Sequence, residues 1–370
     1  MLTILIGITN DGANDAILNV GVVGSETSNL NLSDSRNLIT GEWSAAVLLS
    51  DAIMTLISTD SCAVNGSGVC ATNSYTDYNG ETKYHDYRYR GSYVNNYVSF
   101  NNDLYRIIGV FDDYSHGIDG QYLVKLISAN KIAEYSWGVY NNSVSSATYS
   151  NYKNDWTGNT TGVKANLNIL LNEYFYNKTS ISSTYGSCSN WSYYYNGSDY
   201  RTNDCSNIVG YGIDSSLQNY IETVTWYLYG YSDSQFSEIS KQNFYLCERG
   251  QYSGCTSANS GAYSATATGK IGLMYVSDQV YASAYYADSD TSVLGYDGYY
   301  GNQNWLYNGD EWTITPINNS DVDVLVSTDG SFLISYTYES RKIRPSFYLK
   351  ESVYVTGGDG SFDNPYTISM

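Results

Sequence analysis

The sequence predicts an α+β fold, a mostly antiparallel sheet with several short helices. Three observations predict it: alternating strand patterns over 93–127, helical apolar spacing over 163–248, and a return to strand patterns from Glu311 onward. Strands, then helices, then strands is the order of an α+β chain and not the βα alternation of a parallel sheet. At 370 residues the chain can bury a full core and is long for one domain. We expect a β-hairpin and linker over 1–37, a helix and disulfide-stapled connector over 38–92, and a main module over 93–370.

In Leu2 to Val23, two apolar, β-branched runs flank the turn-forming Asn10-Asp11-Gly12, which predicts a hairpin. The polar stretch Gly24 to Asn37 reads as a linker. Trp43 to Ile57 spaces Val47, Leu48, Ile53, Leu56 and Ile57 close to a 3.6-residue rhythm, predicting a short amphipathic helix. YVNNYVSF, YRIIGVF (Tyr105 to Phe111) and YLVKLI (Tyr122 to Ile127) read as strands, the last two joined by an Asp/Gly turn. Further helices are expected over Val163 to Tyr176, Ser216 to Trp226, Ser234 to Glu248 and Asp278 to Ala284, the last capped by Ser277. EWTITPI, DVDVLVST, SFLISYTY and IRPSFYL return to strands, with Asp329-Gly330 as a hairpin turn. Pro316, Pro345 and Pro365 fall here, where a strand tolerates proline only at edges, bulges or turns.

The 37 acidic against 18 basic groups give a net charge of −19, which argues against a phosphate-binding surface and a nucleic-acid partner. The most basic stretch, Lys83 to Arg90, alternates with Tyr and Asp and reads as a strand with one solvated face. Six cysteines fall as three neighbouring pairs, Cys62 with Cys70, Cys188 with Cys205, and Cys247 with Cys255. Fifteen pairings are open; the nearest-neighbour scheme closes short loops and suits an oxidising compartment. No pair has two-residue metal spacing, so zinc is disfavoured. Met1 to Ile8 is too short for a signal-peptide core, so a leader is expected to be missing from this sequence. No run reaches the roughly 18 apolar residues that span a bilayer.

A catalytic triad needs a histidine beside a nucleophile and a carboxylate. His85 and His116 have no such motif around them, and GxSxG is absent. Glu173, Glu222, Glu248 and Glu311 are eligible for glycosidic acid-base work; the plainer reading makes them solvated or helix-surface groups. No cofactor or metal centre is expected. Calcium is the one ion the composition suits, with Asp288, Asp290 and Asp297, or Asp359 and Asp363, as oxygen clusters. The main functional hint is the 42 tyrosines, because Tyr offers contact area and a hydroxyl at low rotamer entropy. The expected ligand-binding residues are Tyr193, Tyr194 and Tyr195 in one loop and Tyr296, Tyr299 and Tyr300 with Trp305 and Tyr307 in another. The plainer reading makes many tyrosines half-buried strand and loop residues.

The strings YRIIGVF, LVKLI, SW (Ser136-Trp137), NDW (Asn154 to Trp156), LN (Leu167-Asn168), VTW (Val224 to Trp226), KIGLMYVSD (Lys270 to Asp278), NWL, WTITP, IRPSFYL and TGGDGSFDNPYTI occur in one order. Together they resemble a family of secreted, Tyr/Ser/Asn-rich surface proteins of intestinal Gram-positive bacteria, often with a prepilin-like or signal-type N-terminus. The likeness covers Tyr93 to Ile368. It implies export and surface display; this chain departs from the family in lacking the N-terminal helix or leader. The closing pattern, Trp, an S/D-G hairpin, then R-P-x-x-Y-L, is similar to formylglycine-generating and C-type-lectin-like modules. That resemblance implies their topology, in which terminal strands return beside the starting ones. It makes Trp305, Trp312, Arg344 and Pro345 scaffold positions, with Trp226 in the same structural role, and carries over no catalytic residue. The expectation is a non-enzymatic extracellular recognition or display protein whose partner is a surface glycan or protein. A structural subunit of a pilus-like fibre is the alternative, and a carbohydrate-active enzyme the third.

Overall fold

The computed structural model describes residues 3–10 and 16–23 and, between 46 and 370, all but 64, 139–155, 159–163, 190, 196–198, 204, 231–239, 253–265, 285–302, 317–322, 329–330 and 338. The chain forms two units, Met1–Ala45 and Ala46–Met370. In the first, β1 (Thr3–Asn10) and β2 (Ala16–Val23) make the expected hairpin, an antiparallel ladder from Thr3↔Val23 to Asn10↔Ala16.

The second unit begins with β3 (Val47–Leu48) and α1 (Leu49–Met54). The helix expected over 43–57 is thus shorter, because Val47 and Leu48 join a sheet. β4 (Gly68–Thr76) and β5 (Thr82–Arg90) form a hairpin; Asp77 Oδ1 accepts from the backbone N–H of Asn79 and Glu81 in its turn. β6 (Tyr97–Phe100) passes into β7 (Asp103–Phe111) through Asn101 and Asn102, both left-handed at φ 58° and 60°. Asparagine tolerates that backbone region, and the two-residue turn matches strand twist. α2 (Asp113–His116) is capped by Asp112, whose side chain accepts from Tyr114 N. β8 (Leu123–Ser128) and β9 (Ala133–Ser136) follow.

α3 (Asn166–Ile169) runs on as a π-helical segment, Leu170–Phe175, and buries Leu167, Leu170, Leu171 and Phe175, the face its spacing predicts. β10 (Ile181–Ser182) with β11 (Gly186–Ser187), then β12 (Trp191–Tyr195) with β13 (Asp199–Asn203), form two small hairpins. After α4 (Ser206–Gly210) the chain departs from expectation. In place of a helix over Ser216 to Trp226 there is one 3-10 turn, Gln218–Tyr220, and then β14 (Val224–Tyr227). Here β-branched Thr223, Val224 and Thr225 bracket an alternating burial pattern, and pairing with β15 (Thr266–Gly269) overrides a helical rhythm carried by few residues.

α5 (Lys241–Glu248) starts at Ser240, whose hydroxyl accepts from Asn243 N. β16 (Ile271–Gly272) precedes α6 (Val276–Tyr281). This helix begins two residues before the expected start; Asp278, inside the first turn, reaches back to Tyr275 N at 2.9 Å, so the cap lies upstream of Ser277. The final stretch supplies β17 (Glu311–Pro316), β18 (Asp323–Thr328), β19 (Ser331–Tyr336), β20 (Ser340–Ile343), β21 (Ser346–Tyr348), β22 (Tyr354–Gly357) and β23 (Thr367–Ser369). The β18–β19 ladder closes at Thr328↔Ser331; Asp329 and Gly330, the expected turn, lie outside the described residues.

The largest sheet has the order β16-β21-β8-β7-β5-β4, with β6 also on β7, and every pairing in it is antiparallel. A second sheet, β19-β18-β17-β20-β9, contains one parallel pair, β17 with β20. A third, β23-β22-β3, brings the last strands of the unit onto its first. The connector expected over 38–92 is therefore, from residue 46 onward, part of the main module, because β4 and β5 belong to its principal sheet. Gly109 is required where β5 crosses close to a register shift in β7: a Cβ there would lie 2.5 Å from Tyr87 O. Leu126, Ile107, Phe347 and Leu167 lie at 0% exposure in one core.

Two disulfides join nearest neighbours, Cys62–Cys70 and Cys188–Cys205. Cys247 is also disulfide-bonded; Cys255 lies outside the described residues. The second bridge spans 17 residues. Replacing Cys188 and Cys205 together by alanine is expected to lower unfolding free energy by about 3 kcal/mol, the loop-closure entropy it removes from the unfolded chain. A urea titration checks this; a change below about 1 kcal/mol would mean the bridge is idle.

Candidate functional site

The first tyrosine cluster lies on a stapled hairpin. Tyr193, Tyr194 and Tyr195 are in β12, opposite Arg201, Tyr200 and Asp199 of β13. The ladder runs from Trp191↔Asn203 outward, and Cys188–Cys205 closes the chain just below it. Tyr296, Tyr299 and Tyr300 lie outside the described residues, as do Asp288, Asp290 and Asp297.

Trp305, expected in a binding loop, is instead buried at 6% exposure, with its Nε1–H donating to Tyr89 O at 2.7 Å. Tyr307 is half-buried. Trp305 forms one side of a sandwich: the Arg106 guanidinium lies 4.4 Å from its ring and 4.4 Å from the Tyr97 ring. Tyr97 in turn meets Phe362 edge-on at 5.4 Å.

Trp226, Trp312, Arg344 and Pro345, expected as scaffold, are buried like Trp305. Trp226 packs on Tyr275 and Tyr348, and Trp312 on Trp137. The Arg344 guanidinium forks onto Glu311, both bonds 2.6 Å, and donates to Leu306 O.

Lys83 to Arg90 is the expected strand, with Lys83 exposed and His85 and Tyr87 half-buried on one face, but its other face is buried, with Asp86, Arg88 and Arg90 at 0%, 1% and 2% exposure. The reading of Glu248 and Glu311 as surface groups needs correction: they lie at 0% and 1%. The reason is a buried network that sequence separation hides. Asp278 on α6 accepts from Lys125 Nζ of β8 at 2.6 Å and from Arg88 Nη1 of β5 at 2.7 Å. Arg88 also pairs with Asp86, which Thr72 and Asn73 hold by hydrogen bonds. Glu248 accepts from Ser277 N and Thr315 Oγ1 and faces Arg249, which lies 3.5 Å over the Tyr245 ring. Burial pushes the Glu248 carboxyl up, opposed by Arg249. Burial also acts to raise Asp278, but Lys125 and Arg88 hold it below the ordinary carboxylate range. Lys125 falls to about 8 through burial, against the pull of Asp278. Three carboxylates and three cations thus neutralise one another out of water.

Among the described residues neither histidine is hydrogen-bonded to a serine, threonine or cysteine side chain. His85 is stacked between Tyr75 (4.3 Å) and Tyr114 (4.4 Å), with Nδ1 2.7 Å from Asp112 Oδ2. Tyr114 stacks further onto Tyr245, so a column of rings leads from half-exposed Tyr75 to the buried Arg249. His116 lies at 0% exposure. Its Nδ1 sits 3.2 Å from Ile118 N, as acceptor, so the ring is neutral and its Nε2–H donates to Phe111 O. Burial pulls its pKa from 6.5 down to about 4. The unfolded ring gains its proton first, so this contribution is full above pH 6.5 and is lost as pH falls toward 4. Replacing His116 by Gln is expected to remove up to about 3 kcal/mol of acid sensitivity across that window. Urea midpoints at pH 7.5 and 4.5 check it; an unchanged difference refutes it.

Asp359 Oδ1 accepts from Ser361 N at 2.9 Å as a turn former, and Ser361 and Asn364 hold its carboxyl below the usual range. Among the described residues no group of three or more His, Cys, Asp or Glu is placed to hold a metal ion. No described helix is long and apolar enough to cross a membrane.

Comparison with protein-family models, curated proteins and solved structures finds no match to this chain.

Proposed function

We propose that this chain is an extracellular, non-enzymatic surface protein that recognises a glycan or protein through tyrosine-rich segments, the Tyr193 hairpin foremost. The observation that carries this reading is the enclosure of β12 and β13 by the Cys188–Cys205 disulfide. A hairpin fixed at its base presents its strands with little ordering left to do on binding, and reduced ordering cost is affinity. The disulfides favour an oxidising compartment, since cytosolic thiols are kept reduced. The topology we assign is C-type-lectin-like. Its support is the return of β22 onto β3, with Tyr354↔Leu48 and Val355↔Val47 in register, and the burial of Trp312 and Arg344. Surface display in the manner of secreted proteins of intestinal Gram-positive bacteria is part of the same proposal.

The test is a glycan array and a binding assay on intact host and bacterial cells, using the full chain and a Tyr193→Ala, Tyr194→Ala, Tyr195→Ala variant. Loss of about tenfold or more in affinity, with an unchanged thermal midpoint, is the expected result. Equal binding by both proteins would sink the hairpin's role. Product release from a polysaccharide would overturn the non-enzymatic reading.

A further inference from the structure

Arg106 differs from four of the other arginines. Arg88, Arg249, Arg341 and Arg344 each face a carboxylate. Arg106 is half-buried and, among the described residues, faces none: Nε donates to Asn96 Oδ1 (2.8 Å), Nη1 to Trp305 O (3.0 Å) and Nη2 to Val94 O (3.4 Å). A guanidinium carries more N–H groups than these three bonds use. Both ring faces of the sandwich hold it flat, so only its edge is left for a ligand. Burial lowers its pKa to about 10, with the Arg344 charge adding to the effect. It therefore stays charged at neutral pH, an unneutralised cation in a chain of net charge −19.

Across the Tyr97 ring from this cation stands an apolar group held out to solvent. Phe362 is 65% exposed and touches Tyr97, the outer slab of the sandwich. Its loop is ordered by its own bonds: Ser361 N to Asp359 Oδ1, Asn364 N to Ser361 Oγ, and Asp359 N to Asn364 O. Gly358 and Gly360 take φ 82° and 77° there, a backbone suited to glycine. Tyr97 N donates to Gly360 O and ties the loop to β6. An ordered loop that exposes a phenylalanine has its conformational cost met in advance.

We propose that Arg106 and Phe362 form a binding site for a carboxylated sugar. The carboxylate meets the guanidinium edge in a charge-assisted hydrogen bond, and the apolar C–H face of the sugar ring covers Phe362. Neutral sugars lack the first contact, and small carboxylates lack the second. The site is built from elements other than the Tyr193 hairpin and goes beyond that reading, so either can fail alone.

The probe is methyl β-glucuronoside, with its methyl ester and methyl β-glucoside as neutral controls, titrated into the full chain by calorimetry or ligand-observed NMR. The acid is expected to bind at least about tenfold tighter than either control. Arg106→Gln is expected to abolish that preference, and Arg106→Lys to retain part of it, because the charge stays but the planar fork is lost. Phe362→Ala, at an exposed position, is expected to weaken the acid several-fold with an unchanged melting temperature, which keeps the test valid if Arg106→Gln unfolds. Equal affinity for acid and ester overturns the proposal. So does saturable binding of an acidic peptide at the site with none of the sugar acid. Binding of neutral glycans lost with the Tyr193 variants and unaffected at Arg106 would leave the hairpin reading intact and refute this one.

Discussion

Asp278→Ala is expected to lower the unfolding free energy of the second unit by about 3–5 kcal/mol, the cost of leaving buried Lys125 without its partner and Arg88 with Asp86 alone. Both Lys125 and Arg88 point at this carboxylate, and all three side chains lie at 0–1% exposure. Pairing gives each cation an opposing charge that water would otherwise supply; without it, Lys125 must lose its proton or draw water into a packed core. Lys125 already sits at about 8 because of burial, so deprotonation is its ready escape, and the variant is expected to recover part of its loss as pH rises. Equilibrium unfolding in urea from pH 6.5 to 9 measures this. A variant within about 1 kcal/mol of the parent at neutral pH would show that the trio does not hold α6 to the sheet. Asp278 also fixes the start of α6 through Tyr275 N, so loss of helix signal is expected to accompany the loss of stability.

Glu311→Ala is the second large effect, again about 3–5 kcal/mol, because it strands the Arg344 guanidinium at 3% exposure. The informative comparison is the double variant Glu311→Leu with Arg344→Met. Apolar side chains of similar volume need no compensation, so the double variant is expected to lie within about 2 kcal/mol of the parent and well above Glu311→Ala. A double-mutant cycle isolates the pair's coupling. Additive single effects would contradict the bidentate geometry.

What could be read in advance follows from what is local. YRIIGVF and YLVKLI became β7 and β8, and Leu167, Leu170, Leu171 and Phe175 became one buried helical face, because periodicity within a single element decides such cases. The antiparallel pairing of β18 with β19 and two neighbouring cysteine pairs were legible for the same reason. Arg88 was not: its partner Asp278 is 190 residues away, and a strand of Tyr, Asp and Arg looks solvated until that partner is known. Glu248 and Glu311 were misjudged on the same ground. Ser216 to Trp226 failed because β15, which pairs with β14, lies across a long intervening segment. Of the residues expected to bind a ligand, Tyr193 to Tyr195 lie on a stapled hairpin and Trp305 is buried against an arginine. Arg106 itself gave no signal, because only three-dimensional contacts distinguish a paired cation from an unpaired one.

The meeting of β3 with β22 has a mechanical consequence. A pull applied to the two ends of the second unit is felt first by the β23-β22-β3 ribbon, whose contact with β3 is only two register pairs long. Tension would therefore peel this small ribbon before it loads the principal sheet, giving the unit a compliant clasp ahead of a stiff body.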